Sequence, residues 1–344
     1  MRYLLPNTKY YKANLHTHTT ISDGKLTPEE AKAEYKKRGY SILALTDHSV
    51  VLNHSDLNDP DFLMLTGVEI DATEEKPFRE GNRIRKCRHL CLIAKDPNNN
   101  WLPYRDPEPH PNSLPYFENC VFDDLSCEYT TEAMNAVVAK ANEKGYLVTY
   151  NHPVWSLETY ADYAPMQGVW GMEYRNSACC ATGYDENNGR VYQDLLHLGN
   201  RIVPVFADDM HCITKPNCGK ILGASWIMVG AEKLEYASVI EALERGDLYA
   251  SCGPEIHSVT IDGTTLRVTC SEAARIQILT HTRRAYLKLP QESAETISEA
   301  VVSLEKFFEN FGMDPDGFIR VIVTDKNGDY AVTRAYWMNE LLGK

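Results

Sequence analysis

Several short segments of this chain pair imidazoles with carboxylates in ways suited to holding a cation. His16 and His18 stand one residue apart, and the Ser22-Asp23-Gly24 turn follows them. Further along come Thr46-Asp47-His48, Gly67-Val68-Glu69, an isolated His89, Asn151-His152-Pro153 and Asp209-Met210-His211. Six of the eleven histidines fall in these segments. Neutral imidazole with carboxylate is a donor set that divalent zinc, manganese and iron all accept. Alone, the His16–His18 pair reads equally well as a packed, hydrogen-bonded couple. It becomes one wall of a metal site only if the other segments reach it.

The surrounding elements make that meeting plausible. Alternate residues of an extended strand share a face, so His16 and His18 project together while Thr17 points away. YKANLHTHT, SILALTDHS, FLMLTGVEI, HLCLIAK, YLVTYNHP, VWGMEYRN and IVPVFADDMH read as strands, and each carries its chemical residues near one end. Helices alternate with them. TPEEAKAEYKKRG has Thr27 as cap, Pro28 in the first turn, Glu30 completing a capping box and Gly39 as stop. TTEAMNAVVAKANEKGY is a second helix ending at Gly145, and a third runs around 192–198. This alternation predicts an α/β sheet or parallel barrel, whose functional residues gather at the strand C-terminal ends. The proline- and asparagine-rich stretch at about 96–128 interrupts the pattern as a long loop, a lid or a plain insertion, with its Tyr and Trp residues at 101–117 near the entrance.

From about residue 252 the pattern becomes all-β. IHSVTIDGTTLRVTC is two alternating runs around Asp262-Gly263, a hairpin signal. RIQILT, AVVSLE, FIRVIVT and YAVTRAYW add strands, and 305–312 suits either a loop or a helical turn. The expected division is therefore 1–251 and 252–344.

Composition narrows the partners. The 344 residues carry 35 basic against 48 acidic side chains, a formal charge of −13. That field repels nucleic-acid backbones and anionic membranes and favours a small-molecule partner. The N-terminus lacks a signal-peptide core, and no apolar run is long enough to span a bilayer. The ten cysteines are scattered without a CxxC pair, which predicts reduced thiols and a cytoplasmic protein. Oligomeric state is not legible.

HTHT with SDG, then TDH, GVE, His89, NHP and DxH, in this order over roughly residues 10–250, resembles the polymerase-and-histidinol-phosphatase (PHP) family. The DDMH form of the last motif and the RGDLYASCGPEI passage are similar to its carbaryl-hydrolase-like subgroup. The resemblance implies a distorted (β/α)7 barrel, here with a small C-terminal all-β domain, and two or three divalent metal ions at its mouth. It implies His16, His18, Glu69 and Asp209 around a first metal, Glu69 bridging to a second completed by His89 and His152, and Asp23, His48 and His211 around a third. Many family members have histidine where Asp23 stands, and a harder, charged ligand there favours manganese or iron or lowers occupancy.

The implied activity is a phosphoesterase: a hydroxide generated by the metals attacks phosphorus in a small phosphorylated substrate. Asp209 can accept the proton of the attacking water, and His211 or His48 can protonate the leaving oxygen. Asp47 is a candidate partner for an imidazole tautomer. Arg175 and Asn176, at a strand end, are candidate phosphate contacts, with a surface ion pair as the competing reading for the arginine. Asp208 is expected to face away from Asp209 and act structurally. Lys215 and Lys220 read as solvated lysines, Cys179-Cys180 as packing residues, and His54, His110, His197, His257 and His281 as surface or packed histidines. Two other readings stand beside the phosphoesterase. The same chemistry can cleave a carbamate, carboxylic ester or lactone, which comparing aryl phosphate with aryl acetate would separate. A non-catalytic metal-binding regulatory module is the third, marked by low metal content.

Overall fold

Residues 27–39 form the helix their end signals predict. In the computed structural model, which describes residues 1–74, 85–212, 221–292, 295–312 and 314–344, helix α1 runs Pro28–Lys37. Thr27 accepts from the Glu30 backbone N–H at 3.3 Å, and the Thr27 N–H donates to the Glu30 carboxylate at 2.9 Å. The buried face of α1 is Ala31 and Tyr35. Helices α2 (Thr131–Glu143), α3 (Gly189–His197) and α4 (Tyr236–Arg245) follow.

Seven strands form the part of the sheet that carries the site. They are β1 (Tyr10–Asn14), β2 (Ile42–Leu45), β3 (Leu63–Thr73), β4 (Cys87–Ala94), β5 (Tyr146–Tyr150), β6 (Gly171–Asn176) and β7 (Val203–Ala207), adjacent in chain order. Pairing is parallel except at β4, which is antiparallel to both β3 and β5. The reversal explains why His89 lies near the start of its strand: the start of β4 is at the same end of the sheet as the finish of the others.

The ladder does not close into the expected barrel. The free edge of β1 is taken by an antiparallel strand, β8 (Trp226–Gly230), rather than by β7. Among the described residues, the two ends meet beyond the strands, through a parallel bridge between Thr17 and Met210. There the His18 N–H donates to the Met210 carbonyl at 3.0 Å and the Asp209 N–H to the His16 carbonyl at 3.1 Å. The segments bearing the two HxH and DxH motifs are thus laced directly together.

Beyond β8 the same sheet continues through β9 (Leu248–Ser251) into the C-terminal region. The hairpin β10 (Ile256–Asp262) and β11 (Thr265–Ala273) turns at Gly263, whose φ of 57° suits a residue without Cβ. After β12 (Arg275–Thr280), β13 (Ala285–Lys288) and β14 (Ile297–Ser303) come a helix at Glu305–Phe311 and strands β15 (Phe318–Thr324) and β16 (Tyr330–Thr333). The order β8-β9-β16-β15-β12-β13 carries one sheet across residue 251. A second sheet joins Arg2–Tyr3, β10, β11 and β14. Two large cores result, and each draws residues from both sides of position 251: Phe318 and Trp337 pack in the first, Leu4 and Tyr249 in the second.

The stretch after β4 is folded back as a support. Ser113 Oγ donates to the carbonyls of Ile21 at 3.2 Å and His48 at 2.9 Å, and Asn112 Nδ2 to that of Ser22 at 3.0 Å. Phe117 packs with Ile21 and Val50. Trp101 and Tyr104 are buried rather than at the entrance. Eight cysteines among the described residues, Cys87, Cys91, Cys120, Cys127, Cys179, Cys180, Cys252 and Cys270, are free thiols. No helix among the described residues is long and apolar enough to cross a membrane.

Candidate metal centre

Glu69 and His89 lie within β3 and β4, whereas His16, His18, His48, His152, Asp209 and His211 lie past the ends of their strands, where the backbone is free to adopt unusual angles. His152 has φ 22° and Asp209 φ 52°, left-handed values that non-glycine residues adopt only when surroundings impose them. Asp47 supplies part of that constraint elsewhere. Its Oδ1 accepts from the Thr19 N–H at 2.7 Å, the Ser22 N–H at 3.1 Å and Ser22 Oγ at 2.7 Å, while Oδ2 accepts from Thr19 Oγ1 at 2.7 Å. It therefore shapes the turn leading to Asp23, and all four bonds go to that turn rather than to an imidazole as expected. Gly24 closes the turn against His18, where a Cβ would lie 2.4 Å from the His18 carbonyl oxygen.

Four donor atoms converge on one buried point. His16 Nε2 and His18 Nε2 lie 3.1 Å apart and each 3.1 Å from Glu69 Oε2. Asp209 Oδ1 is 3.3 Å from the first and 3.2 Å from the second. The other oxygen of Glu69, Oε1, faces His89 Nδ1 at 3.2 Å and His152 Nε2 at 3.3 Å. A third group, more open, brings Asp23 Oδ2 to 3.3 Å from His211 Nε2 and Asp23 Oδ1 to 3.7 Å from His18 Nδ1. His48 stacks on His18 with ring centroids 4.4 Å apart, and its Nε2 is 3.5 Å from Glu69 Oε2. His18, Asp23, His48 and His211 each offer a donor atom within 4.8 Å of the rest.

The residues fit divalent cations. Asp209 Oδ1 and His18 Nδ1 are buried and make no hydrogen bond of acceptable geometry, a state that costs stability unless something else satisfies them. A cation among the four converging atoms would serve Asp209. Without such a charge the cluster must share protons. Burial opposes a charged His18, but Asp209 and Glu69 raise it to about 10. Burial, reinforced by His18, lowers His48 to about 3. Despite burial, the surrounding histidines hold Glu69 and Asp209 well below the usual carboxylate range.

Behind the donors stands a ring of orienting groups, of which Glu173 and Asn151 carried no sign of this role in the sequence. Glu173 is buried; its Oε1 lies 2.6 Å from His16 Nδ1 and its Oε2 accepts from the His152 N–H at 3.0 Å. Holding Nδ1 as the N–H leaves His16 Nε2 free to ligate. Asn151 Nδ2 donates to Glu69 Oε1 at 2.8 Å. Asn176, proposed for substrate, instead donates from Nδ2 to Glu173 Oε2 at 3.0 Å and Asp209 Oδ2 at 3.1 Å, and accepts from the Cys179 N–H. Asp208 turns away from Asp209 and accepts the N–H groups of Gly223, Ala224 and Ser225 at 2.7–3.2 Å.

A cavity of about 250 Å³ opens over the cluster, lined by Asp23, His48, His89, His152, Asp209 and His211 together with Glu69, Trp155 and residues of a short helix at Ser177–Thr182. Arg175 is not in that lining; it donates to Ser225 Oγ at 3.1 Å and Asn187 Oδ1 at 2.5 Å. Trp155, unremarked in the sequence, lies against His89 and His152 with ring centroids 5.5 and 5.0 Å away. Cys179 lines the cavity, and burial pushes its thiol far up, away from nucleophilic form. His54, His110, His197, His257 and His281 lie outside the lining; Lys215 and Lys220 lie outside the described residues.

Fold and site together define a mixed α/β protein with a buried histidine–carboxylate cluster able to take divalent cations. By sequence, no protein-family profile and no curated protein matches the chain. Among solved structures it is similar to a two-domain protein from Bacteroides vulgatus said to contain a predicted PHP-like metal-dependent phosphoesterase, at 14% identity over 98% of each chain and a TM-score of 0.43. It is also similar to a protein from Bifidobacterium adolescentis assigned as a metal-dependent phosphoesterase, at 16% identity over 62% of this chain and 91% of that one, TM-score 0.38. A third is an amidohydrolase from Chromobacterium violaceum with bound sulfate and no metal, at 15% identity over 69% and 96%, TM-score 0.37.

Proposed function

We propose that this chain is a metal-dependent phosphoesterase of PHP type, acting on a small phosphorylated molecule. The observation that carries the reading is the splayed carboxylate of Glu69, whose Oε2 faces His16 and His18 at 3.1 Å and whose Oε1 faces His89 and His152 at 3.2 and 3.3 Å. A carboxylate serving two imidazole pairs is the arrangement a bridged two-metal centre needs. In this reading His16, His18, Glu69 and Asp209 hold one cation, Glu69, His89 and His152 a second, and Asp23, His48 and His211 a third. When bound, such ions lower the pKa of a water and neutralise charge on phosphoryl oxygens.

The chain's own groups divide the remaining work. Glu173 and Asn176 keep His16 and Asp209 in ligating orientation. Where the third cation is not bound, His211, at the rim with its side chain 36% exposed and braced by Asp23, is the better placed of the candidate acids to hand a proton to the leaving oxygen. His48, only 20% exposed and stacked on His18, is the better ligand.

The test is elemental analysis of the protein as isolated, then turnover of an aryl phosphate with the metal found. Glu69→Gln should lose more than one equivalent of metal and reduce turnover at least about 100-fold. Full metal content with no phosphoester hydrolysis, or hydrolysis that survives Glu69→Gln, would overturn the reading.

A further inference from the structure

The turn between β5 and the short stretch at Tyr160–Tyr163 is held with unusual thoroughness. Glu186, with no exposed surface, accepts the backbone N–H groups of Val154 at 3.1 Å and Trp155 at 2.8 Å, and is itself fixed by Asn188 Nδ2 at 2.8 Å. At the other end of the turn, buried Glu158 accepts from Arg88 Nε and Tyr129 Oη, each at 2.8 Å, and from Tyr150 Oη. Within it the Ser156 N–H bonds the His152 carbonyl at 3.1 Å, and Leu157 takes a φ of 61°. Two buried carboxylates and a left-handed residue thus fix a turn that presents Val154, Trp155 and Leu157 outward, and of these only Trp155 lines the cavity over the cluster.

That indole is not packed away. Trp155 remains 39% exposed, lines the cavity over the cluster and meets His89 and His152 at interplanar angles of 77° and 84°. The short helix at Ser177–Thr182 contributes only the small side chains of Ala178, Cys179 and Thr182 to the same cavity. A large rigid aromatic and small groups share one cavity of about 250 Å³, which has room for a phosphoryl group and one ring. A pre-positioned aromatic loses little conformational freedom on binding, so its contact with a flat partner is retained as affinity.

We infer that Trp155, positioned by Glu186, is a specificity-determining residue that selects phosphoesters bearing a single flat ring. This rests on the phosphoesterase reading, and the test separates the two. Hydrolysis of phenyl phosphate and of glycerol phosphate is compared in the parent protein, Trp155→Phe and Trp155→Leu, with metal content measured for each. Binding of phenylphosphonate, a non-hydrolysable probe, is followed in parallel by calorimetry and by quenching of tryptophan emission.

The expected result is a KM for phenyl phosphate that rises about two- to threefold in Trp155→Phe and roughly tenfold in Trp155→Leu, with glycerol phosphate changing less than about twofold. Phenylphosphonate should quench the parent and not Trp155→Phe, and calorimetric affinity should follow the same order as KM. Equal losses on both substrates, or unchanged phenylphosphonate affinity in Trp155→Leu, would overturn the role of Trp155 while leaving the phosphoesterase reading intact. Failure of the parent to hydrolyse or bind any of the three compounds would overturn both. Should Trp155→Leu lose metal, Trp155→Phe with intact metal content decides the matter alone.

Discussion

At the scale of single residues, the decisive relationship is between ligating atoms and the groups that set their protons. His16 ligates through Nε2 only if its proton is kept on Nδ1, and Glu173 Oε1 at 2.6 Å is what keeps it there. Glu173 Oε2 is already committed to the His152 N–H and Asn176 Nδ2. In Glu173→Gln the amide oxygen takes over those donors, so the amide NH₂ is turned toward His16 Nδ1. That forces the opposite tautomer and places a proton on the ligating nitrogen. The expected outcome is a folded protein with metal affinity reduced about 10–100-fold, measured by competition with a chromophoric chelator. The residues of the cluster were legible in the sequence because imidazole–carboxylate motifs are rare and stood near strand ends. Glu173 was not, because one glutamate in GMEYRN is indistinguishable from a solvated one until its strand is placed beside β7 and the His152 turn. The bonds of Asn176 to Glu173 and Asp209, and the place of Trp155 against His89 and His152, have no trace in the sequence for the same reason.

At the scale of elements, the loops matter more than the strands they follow. The strands and capped helices could be read from periodicity and end signals, and α1 has both halves of its capping box. What could not be read is the missing closure between β1 and β7, since WIMVG gives no local sign that it will pair with β1. The Ser22-Asp23-Gly24 turn shows how tightly the loops are built. Asp47 holds it from one side, and at Gly24 even a methyl would lie 2.4 Å from the His18 carbonyl oxygen and 2.6 Å from the Thr19 nitrogen. Neither is a flexible side-chain end, so Gly24→Ala must displace the turn. Overpacking of this kind costs about 1–3 kcal/mol. Asp23 would be carried away from His211, whereas His16, Glu69 and Asp209 are held by other elements. Elemental analysis should therefore show partial metal loss, greatest at the site of Asp23, His48 and His211 and reaching the neighbouring site only through His18, and a urea titration should show the drop in stability.

At the scale of the whole molecule, the question is whether the α/β and all-β regions are separable. The change from alternating helices and strands to β-hairpins near residue 252 suggests that they are, and composition offers no contrary sign. The pairing between β9 and β16 has no local trace, because antiparallel partners separated by some eighty residues leave no shared periodicity. Yet Tyr249, Ala250 and Ser251 pair with Thr333, Val332 and Ala331, and β9 otherwise ends the sheet on that side of β8. Phe318, Val332 and Trp337 are buried in the same core as β1, β5 and β7. Burial of side chains of this size contributes roughly 1.5–3 kcal/mol each. Together the three are worth on the order of 5 kcal/mol, against a typical net stability of about 5–15 kcal/mol. A chain ending at Ser251 would lose that burial and also expose β9 as an unpaired edge, a template for aggregation. Its expected behaviour is insolubility, or a broad, non-cooperative denaturant transition with no retained metal. A soluble 1–251 fragment with a cooperative transition and full metal content would mean that the C-terminal strands are an appendage rather than part of the frame that holds the site.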